Sequence, residues 1–240
     1  MAALSGKNIL ITGGTSALGS IFVRKALRAS GRVSFTYFQN EACAKELTAE
    51  GARGYFLDLK DPAAMDRFQK DFRGKDPLHT LIHNAALTRD HTLQNMSEGE
   101  WDEVMNVNLK APYLLTKKLL PSLFKAKPSK IFFIISRAAL QGLFGASSYA
   151  ASKAGLMGFA KSLAQELGRK EILVNCVNPG FMKSAMTASL PPEVGERNRA
   201  ESPLGRGSNP EEVADFLVYL CSDQMTQVTG QVFHYESRKI

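Results

Sequence analysis

The sequence predicts one doubly wound α/β domain: a seven-stranded parallel sheet with helices on both faces. Three observations carry this. Short apolar runs alternate with longer amphipathic stretches along the whole chain. Several runs are near-continuously apolar, as strands buried on both faces require. A glycine-rich turn follows the first run and leads directly into a helical pattern. The chain has 240 residues, 44% of them hydrophobic, enough for one large core. No repeat or low-complexity linker divides it, so residues 1–240 read as a single domain.

The elements follow in order. Strand-like runs are Asn8–Ile11, Val33–Phe38, Gly54–Leu57, Thr80–Ile82, Ile131–Ile135, Ile172–Val177 and Gln231–Phe233. Helical patterns lie between them near 17–30, 41–50, 62–73, 97–126, 148–168 and 210–221. Strict alternation of this kind implies right-handed crossovers and a parallel sheet. Asn209-Pro210-Glu211-Glu212 opens the last helix with a capping side chain, proline in the first turn and early acids. Gly168 is placed to stop the helix that begins near 148. Residues 180–207, rich in proline and glycine, read as irregular, and about 181–205 of them as a substrate lid.

Composition narrows the partners. The net charge is +7 and the pI about 9.3. The basic residues are dispersed, which argues against a nucleic-acid tail but is compatible with an anionic ligand or an acidic partner. No run approaches the ~18–20 apolar residues of a membrane span. The N-terminus lacks the basic-then-apolar order of a signal peptide. Cys43, Cys176 and Cys221 are far apart in sequence, so neither a disulfide framework nor a zinc site is expected, and a reducing cytoplasm fits best. His79 and His83 sit four apart on a strand, roughly 13 Å from each other, and do not form a metal pair.

Two motifs carry chemistry. Thr12-Gly13-Gly14-Thr15-Ser16-Ala17-Leu18-Gly19 joins the first strand to the first helix. Glycines there allow backbone to approach a pyrophosphate, and the helix N-terminus favours its charge. Ala17 stands where a middle glycine would be ideal, a departure expected to be tolerated. Arg32 to Asn40 contains no acid to hold a ribose hydroxyl of NAD, which favours NADP and leaves NAD possible. Yet Ser16 and Phe38 occupy positions where a cation for the 2′-phosphate would be expected. The second motif is Tyr149 and Lys153, with Ser136 upstream. Four residues apart on a helix puts phenol and ammonium on one face. The cation is expected to lower the phenol pKa and so provide a proton donor usable near neutrality. Spacing alone is weak, since roughly 0.4 such pairs arise by chance in this composition.

Taken with further motifs, the chain resembles the short-chain dehydrogenase/reductase family, and within it the 3-oxoacyl-[acyl-carrier-protein] reductases. The marks are Thr12-Gly13 to Gly19, Asp58-Leu59, Asn84-Ala85-Ala86, Asn106-Val107-Asn108-Leu109, Ser136, Tyr149-x-x-x-Lys153 and Asn178-Pro179-Gly180. The resemblance runs nearly end to end and implies a Rossmann-type fold. It implies that Tyr149 protonates a carbonyl oxygen, that Ser136 orients that oxygen, and that Lys153 holds the nicotinamide ribose. It gives Asn108 a water that links Lys153 to solvent. It assigns Thr12, Gly13, Thr15, Ser16, Leu18, Gly19, Asp58, Leu59, Asn84, Ala85, Pro179, Gly180 and Ser184 to cofactor binding, together with Tyr149 and Lys153. Lys127, Arg169 and Lys170 match positions that dock an acidic acyl carrier protein. Homotetramer assembly is implied, with a dimer as the lesser form, although the tail from His234 lacks the common Asn-Gly-Gly ending. The function implied is NADPH-dependent reduction of a 3-oxoacyl thioester. Reduction of another carbonyl, such as a polyketide intermediate, and a non-catalytic NADP-binding sensor are the alternatives.

Overall fold

The computed structural model describes residues 3–72, 77–188 and 192–238. Seven strands, β1 (Asn8–Ile11), β2 (Arg32–Tyr37), β3 (Arg53–Phe56), β4 (Thr80–His83), β5 (Ser129–Ile134), β6 (Ile172–Asn178) and β7 (Val232–His234), form one parallel sheet. Its order is β3-β2-β1-β4-β5-β6-β7. Each strand lies within two residues of its expected position. β5 and β6 are buried along their whole length, which is why most of their residues are apolar; the buried Lys130 and Asn175 are satisfied by backbone carbonyls.

Helices α1 (Ala17–Arg28) and α10 (Pro210–Cys221) pack together on one face over Phe22, Phe35, Phe132 and Leu217. The opposite face is covered by α3 (Pro62–Phe72), α5 (Ala111–Leu123) and α7 (Ser147–Leu167) over Met65, Leu81, Phe133 and Leu156. Helix α2 (Glu41–Ala49) connects β2 to β3. α10 begins as its sequence requires: Asn209 Oδ1 accepts from Glu211 N–H at 3.0 Å.

Two expectations need correction. The helix expected over 97–126 is two helices, α4 (Glu98–Met105) and α5, separated by one wide π turn, Asn106–Lys110. Gly168 caps helix α7 directly after Leu167, as expected, with right-handed backbone. The chain tightens into a 3-10 turn, Gly168–Lys170, and Glu171 takes the left-handed backbone at φ 59°. The segment 180–207 is not wholly irregular. It holds α8 (Ala185–Ala188) and α9 (Pro192–Ala200), the latter opening on a proline in its first turn, where proline fits a helix. Residues 189–191, part of the expected lid, and Arg73, the expected end of a helix, lie outside the described residues. A short helix α6 (Ala138–Gln141), not expected, follows Ser136 directly.

Candidate active site

All seven strands point the same way, so the segments that follow them meet at one edge of the sheet. Thr12 follows β1, Asp58 follows β3 and Asn84 follows β4, while Ser136 and Pro179 follow β5 and β6. β1 pairs with both β2 and β4, and strand order reverses there. In open α/β sheets ligands bind outside the carboxyl ends of the strands at such a switch point.

The loop after β1 is built to present N–H groups. Gly13 has φ +66°, and at Gly19 a Cβ would lie 2.3 Å from the Gly13 carbonyl oxygen. Ser16 caps α1, its Oγ accepting from Gly19 N–H at 3.1 Å. The amides of Ala17 and Leu18, in the first turn, have no partner within the helix. α1 carries no acid in that turn. Asn84 Nδ2 donates to the carbonyls of Thr12 and Gly13, both at 3.0 Å, and to Ser16 Oγ at 3.1 Å. Those carbonyls are therefore turned away from an approaching anion. The donor set fits a dinucleotide diphosphate. Ala17 is exposed, so its methyl group meets solvent rather than the loop.

The structure gives the remaining expected cofactor residues distinct parts. Thr12 is buried, and its hydroxyl accepts from the backbone N–H groups of Asn84 and Ala85, so it braces the loop. Leu18 packs into the core, leaving only its amide for a ligand. Thr15 donates to the Gln39 carbonyl at 3.2 Å and ties the loop to the end of β2. Asp58 is half-buried at the end of β3, with Lys60 N–H donating to its carboxylate at 2.9 Å, and Leu59 packs inward. Gly180 turns with φ +77° beside Asn178, and Ser184 stands at the start of α8 against Thr187.

The catalytic candidates come together from three elements. Ser136 leaves β5 and accepts from Ala138 N–H at 3.2 Å, which fixes its hydroxyl. That hydroxyl faces the phenol of Tyr149, in the first turn of α7, and favours its ionised form. Lys153, one turn further, is 2% exposed and donates to the Ile134 carbonyl at 2.7 Å. Its Nζ lies 5.8 Å from the centre of the Tyr149 ring. Asn108, on the wide turn between α4 and α5, is also buried. Its side chain accepts from Leu87 N–H and donates to Leu87 C=O, both at 2.9 Å, and donates to Ser152 Oγ at 3.1 Å. Asn108 thus clamps the loop after β4 to helix α7, one residue from Lys153.

Electrostatics corrects one expectation. Burial pushes the Tyr149 phenol above its ordinary pKa, against the opposing influence of the Ser136 hydroxyl, and the Asp90 carboxylate pushes it further up. Lys153 does not lower it here, because its ammonium is held at the Ile134 carbonyl. Burial in turn lowers Lys153 to about 8. His83, stacked on Phe133 at 4.9 Å and bonded to Thr116 Oγ1 at 2.8 Å, is pushed by burial to about 3 and stays neutral beside Lys153. Removing the Asp90 charge is expected to lower the Tyr149 pKa. With the phenol in the expected role of acid in carbonyl reduction, the basic limb of kcat/KM should fall at lower pH in Asp90→Asn than in the wild type. An unshifted limb would show that Asp90 does not act on the phenol.

Two more residues bear on the site without any mark in the sequence. Lys60 Nζ sits 5.8 Å over the ring of Phe38, placing a cation at the far end of the cleft. Arg137, next to Ser136, pairs with Glu201. Neither belongs to a recognisable spacing, so no sequence signal marks them. Lys127, Arg169 and Lys170 stand apart from all of this. They precede β5 and β6 and so lie at the opposite edge of the sheet, roughly 20 Å from Ser136 along the strands. Lys127 faces Glu171 at 4.0 Å, and Lys170 lies 5.2 Å over Phe124. Among the described residues no cluster of His, Cys, Asp and Glu could hold a metal, and no helix is long and apolar enough to cross a membrane.

Comparison with known proteins agrees with this architecture. Residues 13–237 match the family described as enoyl-(acyl carrier protein) reductase. The chain is 36% identical over 238 residues to the 3-oxoacyl-[acyl-carrier-protein] reductase FabG of Aquifex aeolicus, covering 96% of each chain. Among solved structures, the Pseudomonas aeruginosa RhlG/NADP active-site complex superposes with a TM-score of 0.90 at 29% identity, covering 98% of this chain and 96% of that one. A single-site variant of the actinorhodin polyketide ketoreductase, with NADPH, gives 0.88 at 28% identity, covering 96% of each. Together with the serine, tyrosine and lysine gathered at one sheet edge beside a diphosphate loop, these matches show that the chain belongs to the short-chain dehydrogenase/reductase family and is an NAD(P)-dependent oxidoreductase.

Proposed function

We propose that the protein reduces 3-oxoacyl thioesters, presented by an acyl carrier protein, to 3-hydroxyacyl thioesters with NADPH. The observation that carries the reading is the Ser136 hydroxyl facing the Tyr149 phenol, with Lys153 buried behind them and the glycine-rich loop on the same sheet edge. A bound nicotinamide supplies the hydride to the carbonyl carbon. Ser136 and Tyr149 converge on the carbonyl oxygen, whose negative charge grows as the carbon is reduced. Tyr149 transfers its proton to that oxygen, and the product alcohol forms as a phenolate remains. The buried Lys153 ammonium, its Nζ 5.8 Å from the centre of that ring, stands ready to return a proton. Asn108 keeps Lys153 and the loop after β4 in register.

NADP is favoured by the lack of an acid between Arg32 and Asn40 and by Lys60 over Phe38. The relative from Aquifex aeolicus bears the reductase name, and the two structural neighbours hold NADP or NADPH. A polyketide or other bulky carbonyl is the second reading. It is favoured by Leu143 and Phe144, 57% and 91% exposed in the loop that leads to Tyr149. Assembly into a homotetramer, or a dimer, is supported by an apolar groove of about 450 Å³ lined by Met105, Leu109, Tyr113 and Phe159 on the outer faces of α4, α5 and α7. Carrier docking at Lys127, Arg169 and Lys170 then serves the site of a neighbouring copy, since those residues lie at the far edge from Tyr149.

The test is a panel of acetoacetyl and longer 3-oxoacyl thioesters, carrier-bound and free, assayed with NADPH and NADH. Turnover of the carrier-bound forms with NADPH is expected. Lys127→Glu combined with Lys170→Glu should weaken carrier-bound turnover about tenfold and leave a small thioester mimic unchanged. Equal loss with both substrates would remove the docking role, and turnover of bulky cyclic ketones alone would select the second reading.

A further inference from the structure

Helix α9 is joined to the segment after β5 through Arg137 and Glu201, yet none of its described residues is buried. An amphipathic helix is ordinarily held by an apolar face. α9 has no fully buried apolar residue among those described, and the contacts that tie it to its surroundings are polar.

One set reaches the segment that carries Ser136. Arg137 pairs with Glu201, one residue beyond the end of α9, and Arg197 on α9 also donates to Glu201 at 2.9 Å. The other set comes from the chain's own tail. Arg238 pairs with Glu236 at 2.5 Å, and both side chains are less than a tenth exposed. Arg238 also donates to Asn198 on α9. Glu236 accepts from Asn178 at 2.7 Å, the residue just before the Pro179-Gly180 turn. Ser237 meets the buried Ser202 at 2.5 Å. The helix is thus tied on one side to the strand bearing the catalytic serine and on the other to the turn after β6.

The geometry points to Arg137, Glu201 and the tail pair Glu236–Arg238 as positioning residues that hold α9 as a polar-latched lid over the catalytic edge. The residue after the serine and the unusual ending of the chain then share one task. They set how tightly the carbonyl substrate is enclosed, while Tyr149 and Lys153 perform the proton transfer. Because the Arg137–Glu201 pair is partly exposed, salt weakens that side of the latch as it would not weaken an apolar seat.

Lid opening is read by limited trypsin cleavage after the exposed Arg197 and Arg199, located by mass spectrometry on the full-length protein with and without NADPH. In Arg137→Met this cleavage should speed up about fivefold. KM for whichever carbonyl substrate the enzyme turns over should rise by a similar factor with kcat within about twofold. Exchanging the pair, Arg137→Glu with Glu201→Arg, should restore both. Arg238→Met, remote from Ser136, should speed cleavage at the same bonds, which keeps the test open if the first variant folds poorly. Moderate salt should accelerate cleavage in the wild type and much less in Arg137→Met. Cleavage unchanged in both single variants overturns the latch. So does a fall in kcat with KM unchanged, or a charge exchange no better than either single change. The cleavage readout needs no substrate, so it stands apart from the substrate assignment.

Discussion

Replacing Tyr149 by Phe is expected to lower kcat/KM for carbonyl reduction by about 10²- to 10⁴-fold, the range for a positioned general acid. The substitution removes one oxygen and keeps the ring between Ser136 and Lys153. Dinucleotide affinity and melting temperature should therefore remain those of the wild type. Some catalysis should persist, because Ser136 still donates toward the carbonyl oxygen as its charge develops. The folded environment adds a pH signature. Burial raises the phenol pKa, so Tyr149 stays protonated through neutral and mildly alkaline pH, and reductive turnover is lost only as pH climbs through that raised value. The wild-type profile should show this basic limb and Tyr149→Phe should lack it. Steady-state rates across pH with saturating dinucleotide provide the measurement. Retention of more than a tenth of wild-type kcat/KM would take the acid role away from Tyr149.

Lys153→Met should produce opposite effects on activity and stability. Turnover should drop by at least ~10²-fold, since the ammonium beside Tyr149 is gone. Stability at pH 7 should rise. The lysine's pKa moves from 10.5 in the unfolded chain to about 8 in the fold, mainly through burial. Between those values the unfolded chain binds the proton more tightly, so stability increases with pH across that window, and the full penalty is present below about 8. At 1.36 kcal/mol per unit that penalty is about 3 kcal/mol. Losing the hydrogen bond to the Ile134 carbonyl offsets ~1 kcal/mol of the relief. A net gain of about 2 kcal/mol corresponds to a melting temperature higher by roughly 4–8 °C in a domain of this size. Melts at pH 7 and pH 10, at equal protein concentration, check both parts. The gain should shrink at pH 10, where the wild-type lysine has already shed its proton. A lower melting temperature at pH 7 would mean that the bond to Ile134 outweighs the buried charge.

What can be read from the residues follows from how directly each feature is encoded. A strand buried on both faces must be apolar, so β5 and β6 are plain, and seven parallel strands place their carboxyl ends together without further information. Gly13, Asn84, Ser136, Tyr149 and Lys153 therefore meet where their motifs imply. The direction of the Tyr149 shift is not legible, for a physical reason. Spacing on α7 puts the lysine on the phenol's face, but it does not say that a carbonyl of β5 will capture the ammonium. Arg137, Asp90 and Lys60 matter through partners distant in sequence or on other elements, and no local pattern encodes such encounters. The wide turn at Asn106–Lys110 is invisible because an apolar stripe continues across it.

That turn has an evolutionary reading as well. A π turn is an α-helical turn lengthened by one residue. Without it, α4 and α5 could run on as one regular rod, and everything beyond would be rotated by about 100°. The clamp at Asn108 is therefore one inserted codon away from an ordinary helix, and a deletion there would displace Leu115, Thr116 and Leu119 from the core in the same stroke. Point substitutions in this stretch can be sampled one at a time. Its length cannot, and the helix is held to that length by the asparagine's grip on Leu87 and Ser152 at one end and by the buried side chains of α5 at the other.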